Sequence, residues 1–284
     1  MTFEYGSSPG RDLSNLLPPA SARIALITGA SSGIGKAIAV KLARMQMQVI
    51  LIARRLERLE SVASLIQEAG GKAEVIQADL TQEDEHMRIY QQVIQAHAGV
   101  DIVVNNAGFG WYGFGHEMPW SVAREMILLN VTAVVHLTFL FLQRMKERGS
   151  GHIINIGSIS GEIPSQGIAL YGATKSFLNN FTTALYRELQ GTPIKVSVIR
   201  AGPVKTEFFQ EAIRKPNGFG VPAEKLAISA ETIAEQVWKL VQHPRRVIYV
   251  PSLLAVTPWV EACFGWIIDR LGPLLLKRAR RDSI

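Results

Sequence analysis

Tyr171 and Lys175 stand four residues apart, with Ser158 thirteen residues upstream, and together these side chains can act as an acid, its electrostatic activator and an oxygen binder. The stretch from Tyr171 to Leu185 reads as a helix with an apolar stripe at Phe177, Phe181, Ala184 and Leu185, so positions 171 and 175 share a face. An ammonium then sits beside a phenol. A free tyrosine ionises near pH ~10, and a neighbouring positive charge favours the phenolate, so the proton affinity is expected to move toward neutrality, where a general acid works best. Such a group suits protonation of a carbonyl oxygen. The same spacing also arises on ordinary solvated helices, so the pair draws its meaning from its surroundings.

Those surroundings begin with a glycine-rich turn. Residues 23–28 form an apolar run, Gly29, Ser31, Ser32, Gly33, Ile34 and Gly35 follow, and a helical pattern continues through Ala37, Ile38, Val40, Leu42 and Ala43. Glycines at such a turn let the backbone approach a pyrophosphate, while the first amides of the helix offer donors and the positive end of its dipole. A flexible turn without a ligand is the alternative. Strand and helix on either side are the context that a dinucleotide site requires.

The second strand bears on the choice of cofactor. An acidic residue at its end bonds the ribose hydroxyls of NAD(H), whereas a 2'-phosphate calls for a cation. Here the chain reads Leu51-Ile-Ala53-Arg54-Arg55, without a carboxylate, and Arg54 can grip a phosphate with its planar fork. NADP(H) is favoured over NAD(H). Alternatively, both arginines begin the next helix in solvent, paired with Glu57 or Glu60.

With these pieces in place the chain resembles the short-chain dehydrogenase/reductase family. The resemblance rests on Thr28-Gly-Ala-Ser-Ser-Gly-Ile-Gly35, Asp79-Leu80, Asn105-Asn106-Ala107-Gly108, Asn130, Ser158, Tyr171-x3-Lys175 and Ala201-Gly-Pro-Val204-Lys-Thr206, and covers residues 23–250. Proline is usual in the family where Ala201 stands. The resemblance implies Tyr171 as proton donor or acceptor, Ser158 as donor to the substrate oxygen, and Lys175 as ribose binder and activator of Tyr171. It implies that Asn130 holds a water relaying protons to Lys175. It also implies that Asp79 and Leu80 hold the adenine, that Asn105, Asn106, Ala107 and Gly108 border its ribose, and that Val204 and Thr206 touch the nicotinamide end. Asp79 could instead cap the helix that begins near Glu83.

The elements that must position these groups follow from periodicity. Strands are expected at 23–28, 48–53, 72–77, 101–105, 151–156, 194–200 and 246–250, and helices at 33–45, 56–69, 83–97, 120–147, 169–190 and 230–242. The alternation makes an α/β fold, a single Rossmann-type doubly wound parallel sheet with helices on both faces. Its strands read as apolar throughout, as strands covered on both faces do. The 284 residues divide into a loose lead-in at 1–22, a dinucleotide-binding catalytic domain at 23–250 and an apolar extension with a basic tail at 251–284. No basic-then-apolar segment opens the chain, so no secretory signal is read, and a cytoplasmic location is expected. The lone Cys263 and scattered histidines predict neither a disulfide nor a metal site.

Aromatic residues mark the expected substrate side: Phe109, Trp111, Tyr112 and Phe114 after the Asn-Asn-Ala-Gly turn, and Phe208, Phe209 and Phe219 after the Gly-Pro-Val-Lys-Thr turn. They favour an apolar carbonyl or alcohol that is lipid-like, steroid-like or aromatic, although such residues serve equally in packing or subunit contact. A cofactor-sensing protein with the same fold and no chemistry is the competing reading, and the intact set Asn130, Ser158, Tyr171 and Lys175 argues against it. The pI of about 9.5 does not read as nucleic-acid binding, because Lys277, Arg278, Arg280 and Arg281, less Asp282, supply half of the +6 net charge from one short tail. In the extension, Glu261, Gly265 and Asp269 fall on one side at helical spacing, leaving Trp259, Val260, Phe264, Trp266, Ile267 and Leu271 as an apolar face. That face is expected either to be buried in a homo-oligomer or to lie peripherally on a membrane with the basic cluster on anionic lipid.

Overall fold

The computed structural model describes residues 23–220 and 226–281, with side chains through Leu271 apart from position 268; the expected lead-in at 1–22 lies outside them. Seven strands form one parallel sheet in the order β3-β2-β1-β4-β5-β6-β7. They are β1 (Ile24–Thr28), β2 (Gln48–Ala53), β3 (Lys72–Gln77), β4 (Ile102–Asn105), β5 (Gly151–Ser158), β6 (Ile194–Ala201) and β7 (Val247–Val250). The helices are α1 (Gly33–Arg44), α2 (Leu56–Glu68), α3 (Glu83–His97), α4 (Trp120–Ile127), α5 (Ala133–Arg148), α6 (Ala169–Glu188), α7 (Phe208–Arg214), α8 (Ala230–Gln242) and α9 (Thr257–Arg281).

Side-chain direction alternates along each strand, and this divides the core into two layers. Ala25, Ile27, Val49 and Leu51 face α1, α2 and α8, whereas Leu26, Ile50 and Ile52 face α3, α5 and α6. Burying both faces explains the continuous apolar runs of the central strands. The expectation of apolar strands fails at β3. There Lys72, Glu74 and Gln77 are exposed, because β3 is the sheet edge and one face of it meets water.

Two further differences come from tertiary packing. The helix expected at 120–147 is interrupted by a π-helical segment, Leu128–Thr132, that carries Asn130. Trp120–Arg148 as one run is long and apolar enough to cross a membrane, yet Leu137, Phe141 and Met145 face the core. Helix α7 was not expected from periodicity, and the apolar extension is largely the helix α9.

The chain leaves β1 outward through β2 to β3, then returns to place β4 on the other side of β1. This reversal opens a crevice at the carboxyl ends of β1 and β4, where open α/β sheets bind ligands.

Candidate active site

The glycine turn between β1 and α1 lies at that crevice. Gly29 has φ +67°, and a Cβ there would stand 2.9 Å from the Cα of Ala107, so only glycine lets the β1 turn meet the β4 turn. Gly35 is tighter still: a Cβ would stand 2.3 Å from the Gly29 carbonyl oxygen. Thr28 locks the two turns together. Its hydroxyl oxygen accepts from the main-chain N–H of Asn106 and Ala107, both at 3.0 Å, and Asn106 Nδ2 donates to the Thr28 carbonyl at 2.9 Å. Gly35→Ala is therefore expected to cost roughly 1–3 kcal/mol of stability, as overpacking does, and to weaken dinucleotide binding; thermal melts and NADPH titration check both.

A single cavity of about 1290 Å³ runs along the crevice. Gly29, Ser31, Ser32, Gly33 and Ile34 line one end with Arg54, Arg55, Asp79 and Leu80; Asn106, Ala107 and Gly108 line the middle; Ser158, Tyr171, Lys175, Val204 and Thr206 line the other end. The residues fit a dinucleotide, because a close-approach glycine loop at a helix N-terminus, a pair of arginines and the catalytic set share one continuous space. Asp79 does not cap α3. Its Oδ1 accepts from the N–H and hydroxyl of Thr81, and Gln82 occupies the N-cap position.

Three expected site residues lie behind the cavity wall. Asn105 was expected at the cofactor ribose, but its Nδ2 donates to Asn155 Oδ1 at 2.8 Å and to Thr138 Oγ1 at 3.1 Å within the core. Strand alternation turns it away from the neighbouring Asn106. Gly35 packs on Gly29 instead of lining the cavity. Asn130 is buried and its amide brackets Phe109: Oδ1 accepts from the Phe109 N–H at 3.1 Å, and Nδ2 donates to the Phe109 carbonyl at 2.9 Å and to Thr174 Oγ1 at 3.1 Å. Both amide protons are thus used, so the expected water relay has at most one side-chain lone pair here. What the Asn130 side chain does is hold the loop after β4.

At the catalytic end, Ser158 closes β5 and Tyr171 sits in the first turn of α6. The Ser160 N–H donates to Ser158 Oγ at 3.1 Å, which leaves the serine proton to donate, and the serine hydroxyl hydrogen-bonds the Tyr171 phenol. Asn179 Nδ2 donates to the Ser158 carbonyl at 2.9 Å and fixes the strand end. Lys175 Nζ donates to the Ile156 carbonyl at 2.9 Å and stands 5.9 Å from the centre of the Tyr171 ring. The expected lowering of the phenol is not found. Burial pushes Tyr171 up to about 12 against the opposing hydrogen bond from Ser158, and burial pushes Lys175 down to about 8. Loss of water around both groups outweighs their mutual attraction at this separation.

The arginines divide differently from the sequence reading. Arg54 is more than half exposed and reaches Glu125 at 3.3 Å. Arg55 Nη2 donates to Ser32 Oγ at 2.8 Å and Ser31 Oγ at 3.3 Å, and its Nη1 meets Glu207 at 3.0 Å. Arg58 also pairs with Glu207, whose carboxyl is held below its usual range chiefly by that hydrogen bond. Neither Glu57 nor Glu60 is the partner found for Arg54 or Arg55. Arg55 and Glu207 were missed as site residues. The adjacency of Arg55 to Arg54 was the only available signal, because the direction of its side chain depends on the fold.

Phe109, Trp111, Tyr112, Phe208 and Phe209 line the cavity, joined by Ile163, Ile168, Ile267 and Leu271. The Phe208 ring lies 5.3 Å from that of Tyr171. Phe114 and Phe219 instead pack on one another, 6.2 Å apart, beside Tyr112. Lys215 also borders the cavity, with its ammonium 4.6 Å from the centre of the Phe109 ring and 2.5 Å from Glu125.

Comparison with known proteins agrees with this geometry. The family model described as short chain dehydrogenase matches residues 23–217. An uncharacterized oxidoreductase of Myxococcus xanthus is 35% identical over 202 residues, covering 71% of this chain and 78% of that protein. An NADP-dependent 3-hydroxy acid dehydrogenase of Shigella flexneri is 34% identical over 257 residues, covering 87% and 99%. A metagenomic short-chain oxidoreductase solved in complex with NADP is 33% identical with a TM-score of 0.69, covering 80% of this chain and 95% of that one. The chain belongs to the short chain dehydrogenase family and is an NAD(P)-dependent oxidoreductase of alcohol and carbonyl groups.

Proposed function

We propose that this enzyme is an NADP(H)-preferring oxidoreductase of an apolar, uncharged ketone, aldehyde or secondary alcohol. The observation that carries the proposal is the continuity of one cavity from the Arg55–Ser31–Ser32 cluster to Tyr171, with an aromatic and aliphatic wall beyond. When bound, the nicotinamide supplies or accepts the hydride. In reduction Tyr171 gives its proton to the carbonyl oxygen, and Ser158 donates a hydrogen bond to the same atom. Lys175, held by the Ile156 carbonyl, places a cation beside the phenol as it loses its proton. The positive end of α6 favours the same phenolate, since Tyr171 lies in its first turn.

The Shigella relative is named for hydroxy acids, which makes a carboxylated substrate the natural competitor. Lys215 is a cation at the aromatic wall, and it is engaged by Glu125 at 2.5 Å, a carboxylate that it shares with Arg54. That pairing favours an uncharged substrate. A homo-oligomer belongs to the same reading: Phe139 of α5 and Phe177 of α6 are exposed and meet through Phe181, with ring centres 5.9 and 5.8 Å from it, an aromatic patch suited to a second copy. NADPH oxidation with a panel of aromatic, steroid-like and long-chain ketones, set against 3-keto acids and small sugars, tests the substrate class. Higher kcat/KM for the keto acids would reject it.

A further inference from the structure

Helix α9 carries three large aromatic side chains that the described residues leave exposed, Trp259, Phe264 and Trp266, and the two tryptophans share one stripe. Trp259 is 73% exposed and Trp266 63%. They are seven residues apart, and Arg270, Lys277 and Arg281 follow at intervals of four, seven and four. Such intervals keep five residues on one stripe of a helix, within an arc of about 60° at 100° per residue. The stripe is aromatic in its first half and cationic in its second. By the same spacing Glu261 and Asp269, the acidic residues of α9, lie off it.

A second copy of the chain would bring identical cations to the stripe, whereas a phospholipid surface offers an acyl boundary for indole rings and phosphates for cations. Exposed Leu253 and Val256, just before α9, enlarge the apolar area. We propose that α9 is an interfacial helix that seats this enzyme on an anionic lipid surface through Trp259, Trp266, Arg270, Lys277 and Arg281. The helix also supplies Ile267 and Leu271 to the wall of the cavity that holds Tyr171. A lipid-seated α9 therefore sets the cavity beside the phase in which an apolar carbonyl is dissolved. This second step rests on the apolar-substrate reading; the lipid contact does not.

The test is co-sedimentation of the full chain with vesicles of phosphatidylcholine alone and of phosphatidylcholine with phosphatidylglycerol, beside mass measurement by light scattering. Binding is expected to the anionic vesicles, to weaken with added salt, and to fall roughly ten-fold or more in Lys277→Glu/Arg281→Glu, since each cation near such a surface adds to affinity. Trp259→Ala/Trp266→Ala is expected to lose binding as well, with reduction of a water-soluble ketone unchanged. Absence of vesicle binding, or equal binding to both vesicles, would overturn the proposal. So would a fall in oligomer mass in the tryptophan variant without vesicle binding by the parent, which would assign the stripe to a second subunit. Vesicle binding reads the surface alone and NADPH oxidation reads the site, so failure of one leaves the other legible.

Discussion

Tyr171→Phe is expected to lose turnover by two orders of magnitude or more while keeping its fold and its affinity for NADPH, because general acid catalysis commonly supplies about 10²–10⁴-fold. The substitution removes only the phenolic oxygen. The ring still packs against Phe208, and Lys175 keeps its bond to the Ile156 carbonyl. The pH profile separates this role from a structural one. Burial holds Tyr171 up to about 12, so the acid stays protonated across the working range, while Lys175 titrates near 8. Protonated Lys175 stabilises the phenolate that forms when Tyr171 gives up its proton. Reduction should therefore be level below about pH 8 and decline above it as that charge is lost. Steady-state rates between pH 6 and 10 check the shape. Near-parental reduction by Tyr171→Phe would remove the phenol from the chemistry.

Much of this arrangement is legible from residue order, for a physical reason. Strands covered on both faces must be apolar, and a turn that meets a phosphate needs glycine, so β1, its turn and α1 announce themselves together. The edge strand β3 was located despite its charges, because Val75 and Ile76 still supply an apolar centre. What the sequence did not show depends on direction and distance. Asn105 and Asn106 look alike in order, yet alternation sends one into the core and the other to the cavity. The π-helical turn at Asn130 has no compositional mark, and its amide finds Phe109 only once the loop after β4 lies against that turn. The proton affinity of Tyr171 depends on how far water is excluded, which a four-residue spacing cannot state.

The division between Arg54 and Arg55 is likewise a matter of direction, and it leads to the second large effect. Arg55→Ala is expected to weaken NADPH by roughly ten- to a hundred-fold with little change for NADH, the scale of a charged hydrogen bond to a phosphate. Arg54→Ala should move the same ratio less, because Arg54 is more than half exposed and turned toward Glu125, whereas Arg55 bonds Ser31 and Ser32 at the glycine turn. Glu207 acts in the opposite direction to Arg55. Its carboxylate pairs with both Arg55 and Arg58, so it competes with a phosphate for the same donors. Glu207→Gln should tighten NADPH and leave NADH unaffected, as the amide no longer opposes the 2'-phosphate. Fluorescence titration of the parent and the three variants with each reduced cofactor measures all the affinities. If Arg55→Ala weakened NADPH and NADH equally, Arg55 would be shaping the glycine turn through Ser31 and Ser32, and selection of the phosphate would fall to Arg54.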